Sequence, residues 1–414
     1  MGLGPSTKMT TLHHYRCPVT KALIRDRDVS VQSLIVNGVS ERYDDKVFTA
    51  VRTGELAEGL HADGAIVVTD GWGNHHIDFV TVIEEFGKRG IPSVGMSYIG
   101  QQGRLVCTNG YTDMLVDFNK NTSGYESSIV GDNNLEDYDA FKALGLLKLK
   151  LKREGIALKK SCEEREQRIC IRRCSYPIKT VAFGDVTAVD GALLTIRTDI
   201  GEIHDKEREF ISEARVHIIK PGERHVRVHT NLDFMPVACK TEGTVGEGRT
   251  ILLDGVTAML TGGEADGAYE PHNIGSSEGF LDKVVRFDRS GTPAATDILL
   301  HIDVTFEPAM GSTVEAIRSA HRLADRVLNE VRAAMKNLII EDRAYHLLEN
   351  RISPQKANII VVKIVSGLGN MYETAVFPFE PAGIIGAKYL MDMSNIPVHI
   401  TPFQCLDGAV HSLL

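Results

Sequence analysis

The sequence lacks several features that would assign a class of protein at once. It has no apolar run of about eighteen residues, so no membrane span is predicted. The net charge is −9, and no long basic patch lies outside the middle of the chain, which argues against nucleic acid or anionic membranes as partners. The seven cysteines follow no framework spacing and no signal core precedes them, so reduced thiols and a cytoplasmic location are predicted.

Standard motifs of catalysis and metal binding are also missing. The sequence contains no H-E-x-x-H or C-x-x-C motif, and the paired histidines have no metal-ligand spacing, so we predict no metal site. Cys162, Cys170 and Cys174 lie near one another, but their spacing does not match a zinc ribbon. Unpaired thiols in a linker and a metal or redox role both remain open for them.

One stretch of the chain organises the rest. The pattern of apolar residues predicts a buried strand at Ala65–Thr69, an amphipathic helix at Ile77–Lys88 and a second strand at Ser93–Tyr98. Together these elements make a βαβ unit. We therefore predict an α/β fold with an N-terminal parallel α/β domain, followed by a mixed α+β domain with a glycine-rich β segment and a C-terminal α/β segment. The predicted bounds are 1–160 for the first domain, 161–175 for a charged linker and 176–414 for the second domain.

Polar groups collect at the first turn of this unit. Asp70, Gly73, Asn74, His75 and His76 follow the carboxyl end of the strand, where open α/β sheets bind ligands. A plainer interpretation is that Asn74 caps the helix and the histidines lie on the surface beside it. A second glycine-bounded loop, with Gln101, follows the next strand and can present backbone N–H groups to an anion.

Two blocks of the sequence resemble a known family. The first contains His13-His14-Tyr15-Arg16, Asp63-Gly64-Ala65-Ile66-Val67 and Gly73-Asn74-His75-His76-Ile77-Asp78-Phe79; the second contains Gly246-Glu247-Gly248, Gly275-Ser276-Ser277-Glu278-Gly279 and Leu406-Asp407-Gly408-Ala409-Val410-His411. They are similar to the small and large fragments of the D-proline reductase proprotein. More distantly, they resemble the pyruvoyl-type component B subunits of glycine, sarcosine and betaine reductases.

The chain departs from this family in two ways. In the family the larger fragment comes first, and cleavage after the Leu-Asp-Gly segment turns a cysteine into a pyruvoyl group; here the two parts stand in reversed order. The position that matches this cysteine is about Gly2, which has no β-substituent to eliminate. We therefore expect no pyruvoyl group, and we assign no other cofactor. We also expect both ends of the chain to lie near the pocket. Asp70 stands where the family tends to have glutamate, which implies a shorter reach or a different substrate.

The resemblance implies a subunit that binds and activates a small amine or amino acid for reductive cleavage of a C–N bond. A selenocysteine- or cysteine-bearing partner subunit would supply the attacking selenol or thiol, in a hetero-oligomer. The implied catalytic residues, which would handle protons, are Asp70, His75, His76 and His14. The implied substrate-binding residues are His13, Gly73, Asn74, Gln101, Glu278 and His411.

Two alternatives remain open at this level. The same scaffold could act alone as a lyase or racemase of amino-acid derivatives. It could also be a non-catalytic assembly subunit that has lost the carbonyl group.

Overall fold

The structure is a computed structural model. It describes residues 10–39, 42–69, 74–120, 122, 129–159, 166–204, 207–265, 278–311, 313–365, 372–377, 384–389 and 397–409. The side chains of Asn74, Val314, 372–377 and 384–389 lie outside this description.

Helices and strands alternate in the first third of the chain, and strands dominate the middle. The helices are α1 (Thr11–Tyr15), α2 (Pro18–Arg25), α3 (Tyr43–Gly59), α4 (Asn74–Lys88), α5 (Asp137–Arg153), α6 (Leu281–Val284), α7 (Val314–Met335) and α8 (Pro402–Leu406). The strands are β1 (Val29–Gly38), β2 (Gly64–Thr69), β3 (Ser93–Ser97), β4 (Leu115–Asp117), β5 (Gln167–Pro177), β6 (Thr180–Gly184), β7 (Ala188–Asp190), β8 (Leu193–Arg197), β9 (Ile211–Ile219), β10 (Arg227–Val228), β11 (Thr230–Glu242), β12 (Gly248–Glu264), β13 (Gly279–Phe280), β14 (Ile298–Phe306), β15 (His346–Ile352), β16 (Ala357–Val365), β17 (Tyr372–Phe377), β18 (Ile384–Tyr389) and β19 (Val398–Ile400).

The first sheet has the order β19-β1-β16-β2-β3-β4. Its strands are parallel except β19, which pairs antiparallel with β1. Apolar side chains alternate between two buried faces along each central strand: Ile35 of β1 packs with α3 and α4, whereas Leu34 and Val36 pack with α2 and α5. Helices therefore cover both faces of a parallel sheet, which confirms the predicted α/β fold and its βαβ unit.

A second sheet follows the order β15-β5-β12-β14-β9, and β11 pairs antiparallel with β12. The long amphipathic helix α7 covers one face, where its Ile317 and Leu328 belong to the same apolar cluster as Leu260 and Leu300 of the sheet. His301 lies between Leu300 and Ile302 in β14, so it points to the opposite face.

The segment predicted as a charged linker needs correction. From Gln167 onward it is strand β5, which pairs in parallel with β12 and antiparallel with β15. Ile171 and Cys174 are buried, whereas Arg172 is exposed, so the charges that suggested a linker belong to the solvated positions of a strand. The N-terminal part of the segment, with Cys162, lies outside the described residues.

Strand β16 connects the two predicted domains. It comes from the predicted second domain, yet it lies between β1 and β2 of the first sheet, with Val361 opposite both Leu34 and Ile66. The first sheet therefore draws on both sides of the predicted linker. Division into separate folding units at 160 and 176 stays a prediction.

Three small sheets complete the described part of the chain: β6-β8-β7, β10-β13 and β17-β18. Among the helices of the described residues, none has the length and apolar character needed to cross a bilayer.

A buried ion pair joins α3 to α4 beside the first sheet. Lys46 Nζ donates to Asp78 Oδ2, and both side chains are almost completely buried. Lys46→Met leaves the Asp78 carboxylate without its cation, so we expect the free energy of unfolding to fall by about 3–5 kcal/mol. Arg52→Ala removes an exposed pair with Glu55 and serves as the control, with an expected loss below about 1 kcal/mol. Urea unfolding measures both, and equal losses would contradict this role of the buried pair.

Candidate active site

The short helix α1 lies between the two sheets. Thr10 caps it, since its Oγ1 accepts a hydrogen bond of 3.0 Å from the His13 N–H. Thr11 donates to both carboxylate oxygens of Asp233 in β11, through its N–H at 2.9 Å and its hydroxyl at 2.6 Å. These bonds attach α1 to the second sheet and place its two buried histidines, His13 and His14, toward neighbouring elements.

His14 contacts a buried cation at the carboxyl end of the first sheet. Lys363 lies in β16 level with Val36 and Val68, two residues before the strand ends. Its Nζ is 3.2 Å from His14 Nδ1. Because an ammonium group can only donate, Nδ1 accepts and the ring hydrogen lies on Nε2. Burial first, and then the charge of Lys363, hold the pKa of His14 well below its usual value, so the ring is neutral.

The Nε2–H of His14 is therefore a buried donor. It contacts no hydrogen-bond partner among the residues that the structure describes. Buried polar groups are normally satisfied, and an unsatisfied one at a strand's carboxyl end points to a ligand or to a functional role.

His13 has the opposite tautomer. Its Nδ1 is 3.0 Å from the Ser290 hydroxyl, which in turn donates to the carbonyl of Leu135 at 2.7 Å. The hydroxyl has one hydrogen and the carbonyl needs it, so His13 Nδ1–H donates to Ser290 and Nε2 is left as an acceptor. Burial lowers the pKa of His13 to about 4, which keeps this ring neutral as well. Two adjacent histidines thus offer one proton donor and one proton acceptor.

Two cysteines complete the surroundings of Lys363. Cys405 Sγ lies 3.4 Å from Lys363 Nζ and donates to the His14 carbonyl at 3.2 Å. Cys17, at the start of α2, interacts with both Cys405 and Lys363. We call His13, His14, Cys17, Lys363 and Cys405 the α1 site. It joins three helices to the carboxyl end of the parallel sheet.

The segment Leu406–Ala409 packs beside this site. Asp407 accepts from the Gly246 N–H at 2.7 Å and from Lys240 at 3.0 Å, and it also bonds to Thr250. Gly408 has a φ of +89°, and a Cβ there would lie 2.9 Å from the ring of Tyr15 in α1. The predicted Leu-Asp-Gly segment is therefore held by the second sheet and lies directly against α1.

The second histidine pair occupies the first turn of α4, directly beyond the carboxyl end of β2. His75 and His76 are both buried, so the interpretation as surface histidines is wrong. His76 packs on Phe79 and closely approaches Gly103, and burial lowers the pKa of its ring. The backbone of Asn74 begins this helix, whereas Asp70 and Gly73 lie outside the described residues. Helix α4 covers the sheet face opposite the one that Lys363 shares with α2.

The remaining predicted residues are dispersed. Gln101 is exposed on a 3-10 turn over Gly100–Leu105. Glu278 pairs with Arg227 at 3.1 Å beside the small β10-β13 sheet. His411 and Gly2 lie outside the described residues, so the expectation that both chain ends approach the pocket stays a prediction.

Near Glu278 the second sheet carries a polar cluster that the sequence analysis did not assign. His229 Nδ1 is 2.9 Å from Asp303 Oδ1, and His301 Nε2 is 2.7 Å from the Thr261 hydroxyl, which also bonds to Asp303. The hydrogen bond with Asp303 raises the pKa of His229, whereas burial lowers that of His301 to about 4. Successive side chains along Ile298–Phe306 alternate between the two faces of the strand, which sets His301 and Asp303 on one face. This pattern in the sequence could have indicated the cluster.

Comparison with known proteins identifies the family. The family model of glycine/sarcosine/betaine reductase component B subunits matches residues 3–131 and 170–282, more than half of the chain. The chain belongs to this family. The matched ranges include α1 with its two histidines, the β2-α4-β3 unit and the glycine-rich strand β12.

Individual relatives match shorter parts. The D-proline reductase proprotein PrdA of Acetoanaerobium sticklandii is 32% identical over 248 residues, which are 59% of this chain and 39% of that protein. The betaine reductase complex component B subunit alpha of Peptoclostridium acidaminophilum is 30% identical over 94 residues, which are 22% of this chain and 21% of that protein. The chain thus spans less than half the length of these curated relatives. No solved structure matches it significantly.

The depressed pKa of His13 predicts a pH-dependent stability for this component B homologue. Unfolded histidine takes up a proton near pH 6.5, whereas His13 in the folded protein does so only near pH 4. Between these values the unfolded state binds more protons, so stability falls as the pH decreases from about 6.5 to 4. His13→Asn keeps a donor toward Ser290 but cannot titrate, and we expect it to remove about 3 kcal/mol of this loss. Urea unfolding at pH 7, 5.5 and 4.5 measures the slope. The exposed His204→Asn variant is the control, and an unchanged slope in His13→Asn would show that His13 titrates normally.

The close approach of Gly103 to His76 predicts a steric requirement. A Cβ at Gly103 would lie 2.2 Å from His76 Cε1, so Gly103→Ala must displace the imidazole. We expect a loss of about 1–3 kcal/mol in unfolding free energy and a changed His76 NMR signal. Gly110→Ala, whose Cβ meets no atom within 4 Å, is the matched control. An undisturbed His76 signal in Gly103→Ala would contradict the packing described here.

Proposed function

We propose that this chain is the substrate-binding and activating subunit of a reductase that cleaves a C–N bond of an amino acid or betaine-type amine. A separate subunit with a selenol or thiol would attack the carbon, in a hetero-oligomeric complex. The contact between His14 and Lys363, in a chain of the component B family, is the observation that supports this proposal most directly. It offers a transferable proton at a buried position beside the segment that resembles the family's cleavage junction.

In the proposed reaction the C–N bond breaks as the incoming sulfur or selenium bonds to the carbon. A secondary or primary amine leaves more easily when its nitrogen takes up a proton. His14 would give its Nε2 proton to this nitrogen while its Nδ1 takes a proton from the Lys363 ammonium, so the ring stays neutral overall. A reducing dithiol would then release the carbon product from the partner subunit.

His13 would complement this step. Its Nε2 is an acceptor in the tautomer fixed by Ser290, so it can hold an N–H or O–H group of a substrate. Asp70, His75, His76, Gly73, Asn74, Gln101, Glu278 and His411 remain proposed substrate or proton-handling groups. Among these, His75 and His76 lie at the position in the fold where parallel sheets bind ligands.

The family's pyruvoyl group does not fit the residue at the matching position. Gly2 carries no β-substituent, so elimination cannot make a carbonyl there. We assign no step to a pyruvoyl group. A quaternary amine, which cannot form an imine, suits such a site.

The proton requirement distinguishes the substrates. When the C–N bond of the neutral secondary amine in D-proline or sarcosine breaks, the nitrogen gains a proton, whereas glycine betaine releases trimethylamine without one. His14→Asn keeps an acceptor toward Lys363 but lacks the Nε2 donor. We expect cleavage of a secondary amine to slow by about 10²–10⁴-fold and betaine cleavage to change much less. Amine and 5-aminopentanoate release are measured with the tagged chain, its co-purified selenol or thiol subunit and dithiothreitol.

The exposed His204→Asn variant is again the control. Equal losses on both substrate classes would contradict proton donation by His14. Turnover without any partner subunit would favour the lyase or racemase alternative. No turnover of any of these amines by an intact complex would favour the assembly role.

A further inference from the structure

The proposed reaction leaves the two cysteines of the α1 site unused. Cys17 and Cys405 are 3% and 4% exposed, and they lie far apart in sequence, at the start of α2 and within α8. The two sulfur atoms interact directly. Such a pair needs explanation, because two neutral thiols beside the buried ammonium would leave it without a negative charge among the groups that the described residues place around it.

The hydrogen bonds decide where the proton lies. Cys405 Sγ faces the carbonyl of His14 at 3.2 Å, and a carbonyl can only accept, so Cys405 stays a protonated thiol. Cys17 Sγ instead receives the Thr20 hydroxyl at 3.1 Å and also faces Cys405 and Lys363. Cys17 therefore accepts from the Thr20 hydroxyl, whereas Cys405 lies between the Lys363 ammonium, which donates, and the His14 carbonyl, which can only accept.

The charges around Cys17 favour the same assignment. Burial alone would raise the pKa of the Cys17 thiol, but the contact with Cys405 and the charge of Lys363 hold it well below the usual value. The contact with Cys17, and then burial, raise the pKa of the Cys405 thiol in turn. The groups that act on Cys17 come from every neighbouring element: His13 of α1, Thr20 and Lys21 of α2, Lys363 of β16 and Cys405 of α8.

We propose that Cys17 is a buried thiolate that reacts with small peroxides, and that Cys405 is the resolving thiol that closes a disulfide with it. The Cys17 thiolate attacks one peroxide oxygen, the O–O bond breaks, and Cys17 becomes a sulfenic acid as water leaves after protonation. The Cys405 thiol then attacks this sulfur and releases a second water. Two thiols and one hydrogen peroxide thus give one disulfide and two waters.

The disulfide would alter the neighbouring cation. It removes the negative charge beside Lys363 and withdraws the Cys405 S–H from the His14 carbonyl. Under the proposed function, which this consequence rests on, oxidation changes the group that supplies a proton to His14. The thiol chemistry itself does not depend on the reductase activity.

The test is oxidation of the folded chain by hydrogen peroxide at pH 6, followed by intact mass and peptide mapping under non-reducing conditions. We expect a mass loss of 2 Da and a peptide that links Cys17 to Cys405. Cys17 should react at least about tenfold faster than Cys174, another buried cysteine whose pKa burial raises. In Cys405→Ser the sulfenic acid at Cys17 should persist and be trapped by dimedone.

Two further variants sharpen the outcome. Lys363→Met should slow Cys17 oxidation at pH 6 by at least about tenfold, and circular dichroism shows whether it folds. If it does not fold, the pH dependence of Cys17 alkylation in the unaltered chain replaces it, with an expected midpoint below that of Cys174. Cys174→Ser should leave the linked peptide unchanged. Equal reactivity of Cys17 and Cys174, or a disulfide with another partner, would overturn the proposal whatever the amine-cleaving activity proves to be.

Discussion

A single buried ammonium group organises the centre of this molecule. Lys363 is 1% exposed within an otherwise apolar strand at the middle of a parallel sheet. Burial of an unpaired ammonium costs several kcal/mol, so its neighbours must offset that cost. His14, Cys17 and Cys405 do so, and they come from α1, α2 and α8. One charge thereby fixes the position of three helices at the carboxyl end of the sheet.

The same region joins the two sheets. Thr11 binds Asp233 of β11, while His14, three residues further along the helix, binds Lys363 of β16. Arg173 of β5 donates to the Leu406 carbonyl at 2.8 Å and lies over the ring of Tyr15. Helix α1 is thus held by groups from both layers, and its two histidine tautomers are fixed by partners that belong to different elements. A donor and an acceptor of protons are set side by side without any titration of either ring.

Much of the fold could be predicted because the spacing of apolar residues along the chain indicates which side chains are buried. The β2-α4-β3 unit and the apolar strand around Ile359–Val365 have clear patterns, and the structure contains both. Strand β5 was missed because Arg172 and its charged neighbours hide a strand in which Ile171 and Cys174 are buried. The pairing of β16 with β1 and β2 joins residues hundreds of positions apart, and no local pattern encodes such a long-range register.

The candidate site, like the fold, could be predicted only in part. His13 and His14 could be selected through the resemblance, but their tautomers depend on Ser290 and Lys363, which are distant in sequence. Lys363 itself is conspicuous in the sequence, because a lysine inside a continuous apolar strand requires a partner. The sequence could indicate that such a partner exists. It could not indicate which groups supply it, because Cys17 and Cys405 become neighbours only through the packing of α2 and α8.

The chemistry of the site follows from how one ammonium shares its hydrogens. Lys363 can donate three hydrogen bonds, and its described neighbours are an imidazole nitrogen and two sulfur atoms. A thiolate at Cys17 stabilises the protonated lysine and therefore weakens it as an acid toward His14. A neutral sulfur in the same place makes the lysine a stronger acid but also a costlier buried charge. Under the two proposals, proton supply to His14 and the redox state of the cysteine pair are therefore linked through Lys363.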